Sequence, residues 1–184
     1  KGISVGGSEI EIGAMTTQHE MISSSDLAAA CPIIAETSHL ISDPQVRYVG
    51  TIGGNVANGD PGNDMPALMQ CLDATFVIEN PGVSREVPAR EFYHGLYDTA
   101  LEDGDLLTSV RIPTPASGHG YAYTKLKRKV GDYATAAAAV ILNMNGNSCN
   151  SASIALTNVG DTALYATEAS DSLAGFDLGA DAID

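Results

Sequence analysis

Basic residues are scarce. Nine Lys and Arg stand against 23 Asp and Glu, a formal net charge of −14 over 184 residues. Such a field repels phosphates, which excludes nucleic acid and anionic lipid as partners. The shortage is also regional, because no Lys or Arg follows Lys129, whereas Asp132, Asp161, Glu168, Asp171, Asp177, Asp181 and Asp184 do. A solvated acidic face accounts for this, and adaptation to salt is the alternative. Cysteine is equally sparse: Cys31, Cys71 and Cys149 are odd in number, widely spaced and lack a C-x-x-C, which argues against a disulfide framework and a self-contained zinc or iron–sulfur site. Each reads as a small buried hydrophobe. His19, His39, His94 and His119 lack metal-ligand spacing, so no metal is expected. No apolar run approaches the roughly 20 residues that cross a bilayer, and Lys1-Gly2-Ile3-Ser4 has no signal-like character, so the default compartment is the cytosol. There are no internal repeats.

Against these absences stands one dense stretch, residues 45–67, with five glycines, three asparagines and two aspartates but no lysine. Within it, Thr51-Ile52-Gly53-Gly54-Asn55 can present consecutive backbone N–H groups to a phosphate, since glycine permits close approach and φ > 0. Asp60-Pro61 leads to Asp64, which can cap the helix expected from Met65, Leu68, Met69 and Leu72, or bond ligand hydroxyls. A surface turn is the commoner use of such composition. Neither G-x-x-x-x-G-K-[ST] nor G-x-G-x-x-G between strand and helix is present, so any nucleotide here is not held in the P-loop or Rossmann manner.

The rest of the chain reads as α+β. Alternation around Ile10 and Ile12 predicts a strand over 9–15, and Thr17-Gln18-His19-Glu20 is a capping box opening a short helix. Asp26 is expected to cap 27–31; Pro32 starts a helix to Leu40, which Asp43-Pro44 ends. After the helix over 65–72, strands are expected over 74–78, 85–87 and 106–112, with turns at Asn80-Pro81-Gly82 and Asp103-Gly104-Asp105 and a helical turn over 89–92. The run Thr114 to Gly120 marks a domain boundary, giving units of 1–115 and 116–184. Beyond it, 121–127 alternates like a strand. Alanines 134–139 favour a helix by propensity, whereas Val140, Ile141 and Asn145-Gly146-Asn147 favour a hairpin with 151–156, and the hairpin is preferred. Residues 167–173 read as a helix ended by Gly175. Lys125, Lys127, Arg128 and Lys129 hold four of the nine basic residues; a solvated face is the usual use of such a run, and attraction of phosphates or an acidic partner is the other.

The ordered motifs Gln45-Val46-Arg47, Gly50-Thr51-Ile52-Gly53-Gly54-Asn55 and Asp60-Pro61…Asp64 resemble the second flavin-binding motif of the FAD-carrying subunits of molybdenum hydroxylases, the family that includes xanthine dehydrogenase and aerobic carbon monoxide dehydrogenase. The resemblance extends through Ile12 to Thr17, Leu72-Asp73-Ala74 and Leu106 to Pro113. The run Ala122 to Ala136 looks most like the carbon monoxide dehydrogenase medium subunit. Tyr48 departs from the Asn common at that position, outside the glycine pair.

That resemblance implies the second lobe of an FAD-binding domain of the vanillyl-alcohol-oxidase/PCMH type, followed by a small antiparallel sheet-plus-helix C-terminal domain. It further implies that the first flavin lobe and the extreme C-terminus are missing and that FAD is then held weakly or not at all by this chain alone. By the resemblance, Thr51, Ile52, Gly53, Gly54 and Asn55 meet the FAD pyrophosphate, Asn58 and Asp64 bond phosphate or ribityl groups, Ile41 packs on adenine, Leu107 on the flavin or its tail, and Tyr133 against the isoalloxazine. Ile41 and Leu107 are equally well read as core. The implied function is electron transfer: FAD here, molybdenum cofactor on a large subunit, 2Fe-2S clusters on a small one, and an external acceptor, through which the cytoplasmic complex could meet the inner face of the membrane. No catalytic acid, base or metal ligand is assigned to this chain. Aerobic carbon monoxide oxidation is the expected setting; the alternatives are a purine or N-heterocycle hydroxylase and a structural module that binds no flavin.

Overall fold

Alternating apolar residues on three segments, Ile10 and Ile12, Phe76 and Ile78, Val110 and Ile112, bury one face of an antiparallel sheet in the structure, a computed structural model describing residues 1–178. Its strands are β1 (Ile3–Gly6), β2 (Glu9–Gly13), β3 (Thr75–Asn80), β4 (Val83–Pro88) and β7 (Leu106–Pro113), in the order β1-β2-β7-β3-β4. Register is set by apolar pairs, Ile10 opposite Ile112 and both Ile12 and Phe76 opposite Val110, because a slip of one residue would expose the whole set. Between β2 and β3 run six helices: α1 (Gln18–Ser23), α2 (Ser25–Ala30), α3 (Pro32–Leu40), α4 (Pro44–Val49), α5 (Ile52–Ala57) and α6 (Asp64–Cys71).

A second antiparallel sheet comprises β8 (Gly120–Leu126), β9 (Ala136–Asn145), β10 (Ser148–Thr157) and β11 (Leu164–Tyr165), in the order β11-β10-β9-β8, with α7 (Thr167–Leu173) packed on β10. Every residue of α6 is buried, because the helix also packs on β9 and β10. Ala137 and Ala139 face inward on β9, and such small side chains permit close approach of helix and sheet. The alanine run therefore forms a strand despite its helical propensity: burial and pairing to β8 and β10 override it. One continuous cluster of buried apolar side chains spans both sheets.

Several local expectations are corrected. An additional strand not expected from the sequence, β1, pairs with β2 across a tight turn in which Gly7 has φ 56°. Asp43-Pro44 does not simply end α3; Asp43 accepts from the Val46 N–H at 3.0 Å and opens α4. Ser24, not Asp26, caps α2, its hydroxyl accepting from Leu27 N–H. The expected glycine loop over 51–55 is the first turn of α5, with Thr51 as cap and no positive φ until Gly59 at 67°. A small hairpin of β5 (Tyr93–Gly95) and β6 (Asp98–Thr99) was not anticipated, its strands being too short for periodicity to register. The capping box at Thr17 and Glu20 is present in both directions. Asp181 and Asp184 of the acidic stretch lie outside the described residues.

Candidate functional site

The groove begins where α3 stops. Ile41 and Ser42 leave the helix, Ser42 at φ 46°, and the Arg47 guanidinium donates to the carbonyls of His39, Ile41 and Ser42 at 3.3, 2.9 and 3.2 Å. Arg47 thus ties the open end of α3 to α4, satisfying carbonyls that have no helical partner. None of the six residues of α4 is buried, and Val46 and Val49 line the groove below.

Two cavities, of about 260 and 390 Å³, lie side by side and share the lining residues Ile41, Val46, Asn55 and Asn63. One half runs past Gln18, Gly50, Thr51, Gly54 and Asn58. The other runs past Ser42, Asp64, Lys125, Gly131, Asp132 and Tyr133, so it is walled by both sheets' domains. Of the residues expected to bind, Ile41, Thr51, Gly54, Asn55, Asn58, Asp64 and Tyr133 come together along this groove. Ile52, Gly53 and Leu107 do not line it; the first two are fully buried and Leu107 packs against the core from β7.

The physical picture of the 51–55 segment changes. Its amides are already used: Ile52 N–H donates to Thr16 O at 3.0 Å, Gly53 to Ala14 O at 2.9 Å, Gly54 to the Thr51 hydroxyl at 3.0 Å and Asn55 to Thr51 O at 3.1 Å. A row of open amides is therefore not what the groove offers. The two glycines also differ in role. A Cβ at Gly53 would stand 2.6 Å from the Ala14 Cβ and 2.7 Å from its carbonyl oxygen, so Gly53 exists for packing of α5 on the strand end. A Cβ at Gly54 would meet only the Thr51 Oγ1, at 3.1 Å, and otherwise project into the groove. Gly131, at φ 88°, has nothing within 4 Å of a Cβ and likewise keeps the far wall open.

Asp64 is neither the cap of α6 nor a free acceptor. Asn63 occupies the cap position, and the Asp64 carboxylate accepts from the Tyr123 hydroxyl at 2.7 Å and the Lys125 ammonium at 2.8 Å. Both charged side chains are almost wholly buried, at 5% and 1% exposure. The Lys125 ammonium also donates to Leu40 O at 3.3 Å, joining α3, α6 and β8 at one point. Burial, and then the Asp64 charge, push the Tyr123 phenol above its ordinary range, so it stays a donor. Lys125 is accordingly not on a solvated face, although it belongs to the basic run.

Asn55 is fixed from two sides: its Oδ1 accepts from Met65 N–H at 3.2 Å and its carbonyl accepts from the Asn63 side chain at 3.0 Å. Asp60 makes an Asx turn to Gly62 N–H at 2.8 Å and accepts from the Tyr97 hydroxyl at 3.0 Å, which raises the Tyr97 phenol's pKa. Tyr133 lies against Gly62 and is 64% exposed, an aromatic face turned outward at the groove's end. Arg128 pairs with Asp132 at 3.4 Å.

Adjoining cavities with a largely apolar lining, a few polar side chains and an exposed aromatic at one end suit a long ligand with an aromatic end and a polar middle. Two features test the fit: the space kept free by Gly54 and Gly131, and the Gln18 Nε2, a buried donor without a partner among the described residues. Burial pushes the thiols of Cys31 and Cys71 up to about 12 and about 11, so neither is a nucleophile. No metal-binding group of His, Cys, Asp and Glu occurs among the described residues. Sequence reasoning missed Gln18, Asn63 and the Asp64–Lys125 pairing. Opposite charges inside two otherwise apolar segments were the available signal for the last.

Comparison with known proteins bears on the same surface. The family model "FAD binding domain in molybdopterin dehydrogenase" matches residues 1–115, and "CO dehydrogenase flavoprotein C-terminal domain" matches 121–184. The carbon monoxide dehydrogenase medium chain of Afipia carboxidovorans is 62% identical over 183 residues, covering 100% of this chain and 64% of that one. That of Hydrogenophaga pseudoflava is 50% identical over 164 residues, covering 89% and 57%. Among solved structures, reconstituted CO dehydrogenase from Oligotropha carboxidovorans superposes with a TM-score of 0.97 at 62% identity, covering 100% of this chain and 64% of that one. Quinoline 2-oxidoreductase from Pseudomonas putida 86 gives 0.90 at 35%, covering 97% and 62%. The chain thus spans less than two thirds of the length of these relatives.

Proposed function

The chain belongs to the family of FAD-binding domains of molybdopterin dehydrogenases, and from that premise we propose that it serves as the FAD-carrying medium subunit of a carbon monoxide dehydrogenase. The observation that carries the reading is the groove itself: seven of the residues expected to touch FAD line two adjoining cavities, one of which is walled partly by residues 125–133. Identity of 62% to a carbon monoxide dehydrogenase medium chain supports the substrate assignment.

FAD, when bound, supplies the electron-carrying chemistry; the chain's residues position it and shape its surroundings. Thr51, Gly54 and Asn55 would flank its pyrophosphate, with Gly54 giving room and the Thr51 hydroxyl and Asn58 amide giving polar contacts. Asp64, held by Tyr123 and Lys125, would face the ribityl and phosphate region. Ile41 would pack on the adenine, and Tyr133 would cover the isoalloxazine and keep water from one face. The Asp64–Lys125 pair is internally balanced, so the groove neutralises phosphate mainly with dipoles. Ile52 and Gly53 act behind the groove by fixing α5, and Leu107 acts by supporting the core beneath it.

The partners in this reading are a large molybdenum subunit and a small iron–sulfur subunit, with an external electron acceptor. No helix among the described residues is long and apolar enough to cross a membrane; we place the complex in the cytoplasm, meeting the membrane only through its acceptor. The likeness to quinoline 2-oxidoreductase supports a second reading, a flavin subunit for an N-heterocycle hydroxylase. Purification of the native complex decides between them. Carbon monoxide should bleach its flavin absorbance and support reduction of an artificial acceptor; response to an N-heterocycle but not to carbon monoxide would favour the second, and a flavin-free complex would refute both.

A further inference from the structure

Gln18 begins α1 and is 1% exposed, yet it lines the half of the groove that holds Thr51, Gly54 and Asn58. Its side chain is anchored at one end only. The Oε1 accepts from the buried Ser38 hydroxyl on α3 at 2.9 Å, while the Nε2 finds no acceptor among the described residues. A buried amide nitrogen without an acceptor is unfavourable until a ligand or water meets it. The backbone around it is equally settled: Gln18 N–H donates to Gly50 O at 2.9 Å, and Ile52 N–H returns to Thr16 O, joining the start of α1 to the start of α5. Several polar groups of this region are engaged with the protein itself, Asn55 through Met65 and Asn63, and the Gly54 amide through Thr51, while the Asn58 side chain is exposed. With the segment's own amides spent, the Gln18 nitrogen is the buried donor left for an anion in that half of the groove.

We propose that Gln18 is an FAD-binding residue whose Nε2 donates to a pyrophosphate oxygen beside Thr51 and Gly54. The proposal rests on the FAD reading above and adds to the glycine motif a residue from a different helix, placed by the Ser38 hydroxyl. A neutral amide suits the position, since a lysine in the same buried place would need a counter-charge that this part of the groove lacks.

The test compares the native complex with complexes carrying Gln18→Met or Gln18→Glu, each freed of flavin and titrated with FAD by fluorescence quenching, with thermal midpoints measured in parallel. Glu keeps the size and the acceptor for Ser38 but replaces the donor with an anionic oxygen; Met removes both without adding charge. The expected result is about tenfold or more weaker binding for Gln18→Met, the loss of one bond to a charged group, and weaker binding still for Gln18→Glu. Affinity of Gln18→Met within twofold of the parent would overturn the proposal, showing an amide that serves only Ser38 or an ordered water. If Gln18→Glu does not fold, Gln18→Met alone decides. Absence of FAD binding by the parent complex would instead refute the FAD reading.

Discussion

At the residue scale, neighbouring identical residues have different work. Gly53 is packed against Ala14 and Gly54 borders the groove, so substitutions there should separate stability from binding. Gly53→Ala forces a Cβ into backbone and should cost about 1–3 kcal/mol of stability by overpacking. Gly54→Val should leave the thermal midpoint within a few degrees while weakening FAD at least tenfold, since its side chain enters the groove. Calorimetry beside FAD titration checks both, and a Gly54→Val chain that binds FAD normally would contradict the assignment. Asp64 behaves as half of a buried pair rather than as a cap worth about 1 kcal/mol. Asp64→Ala leaves Lys125 uncompensated and should destabilise by about 3–5 kcal/mol, whereas Asp64→Leu with Lys125→Met should recover most of that loss. FAD affinity should stay low in both, which chemical denaturation and FAD titration together would reveal. The identities of these residues were legible in sequence; their partners were not, because Asp64 and Lys125 lie 61 positions apart and only the docking of β8 against α6 joins them.

At the scale of elements, short helices with strong caps were partly readable. Thr17 and Glu20 announced α1 by a reciprocal pattern, and that pattern holds. The Thr17 backbone N–H, with Lys1 and the Thr17 hydroxyl, holds the Glu20 carboxyl down at about 2, well below its ordinary 4.5. A depressed carboxyl contributes stability that is fully present above about 4.5 and is lost as the pH falls toward 2. Protection of the amides at the start of α1, measured relative to their intrinsic exchange rates, should therefore fall across that acid range, and Glu20→Gln should flatten the dependence; an unchanged profile in Glu20→Gln would show that another group governs it. The 51–55 segment was misjudged because its glycines suggested an open loop. The deciding signal was Thr51 three residues before Gly54, an N-cap pattern that closes the turn into α5. α4 was missed because nothing on it is buried, so it has no apolar stripe for periodicity to detect.

At the scale of the whole molecule, two sheets share one core through α6, and the groove follows from that arrangement. The strands β2, β3, β7 and β8 could be read in advance, since short apolar runs and period-two patterns are local. That the alanine-rich segment is β9 required tertiary context: Ala137 and Ala139 lie inward beneath α6. The groove's outline was likewise not local, being assembled from the end of α3, α5, the start of α6 and residues 131–133 beyond the boundary. The central claim is that this cleft is where FAD lies, and the most direct measurement is a crystal structure of the full chain loaded with FAD. The account predicts the isoalloxazine against Tyr133, the pyrophosphate beside Thr51 and Gly54 within hydrogen-bond distance of the Gln18 Nε2, and the ribityl chain passing Asp64. Flavin seated elsewhere, with the Gln18, Thr51 and Tyr133 surfaces uncovered, would contradict it.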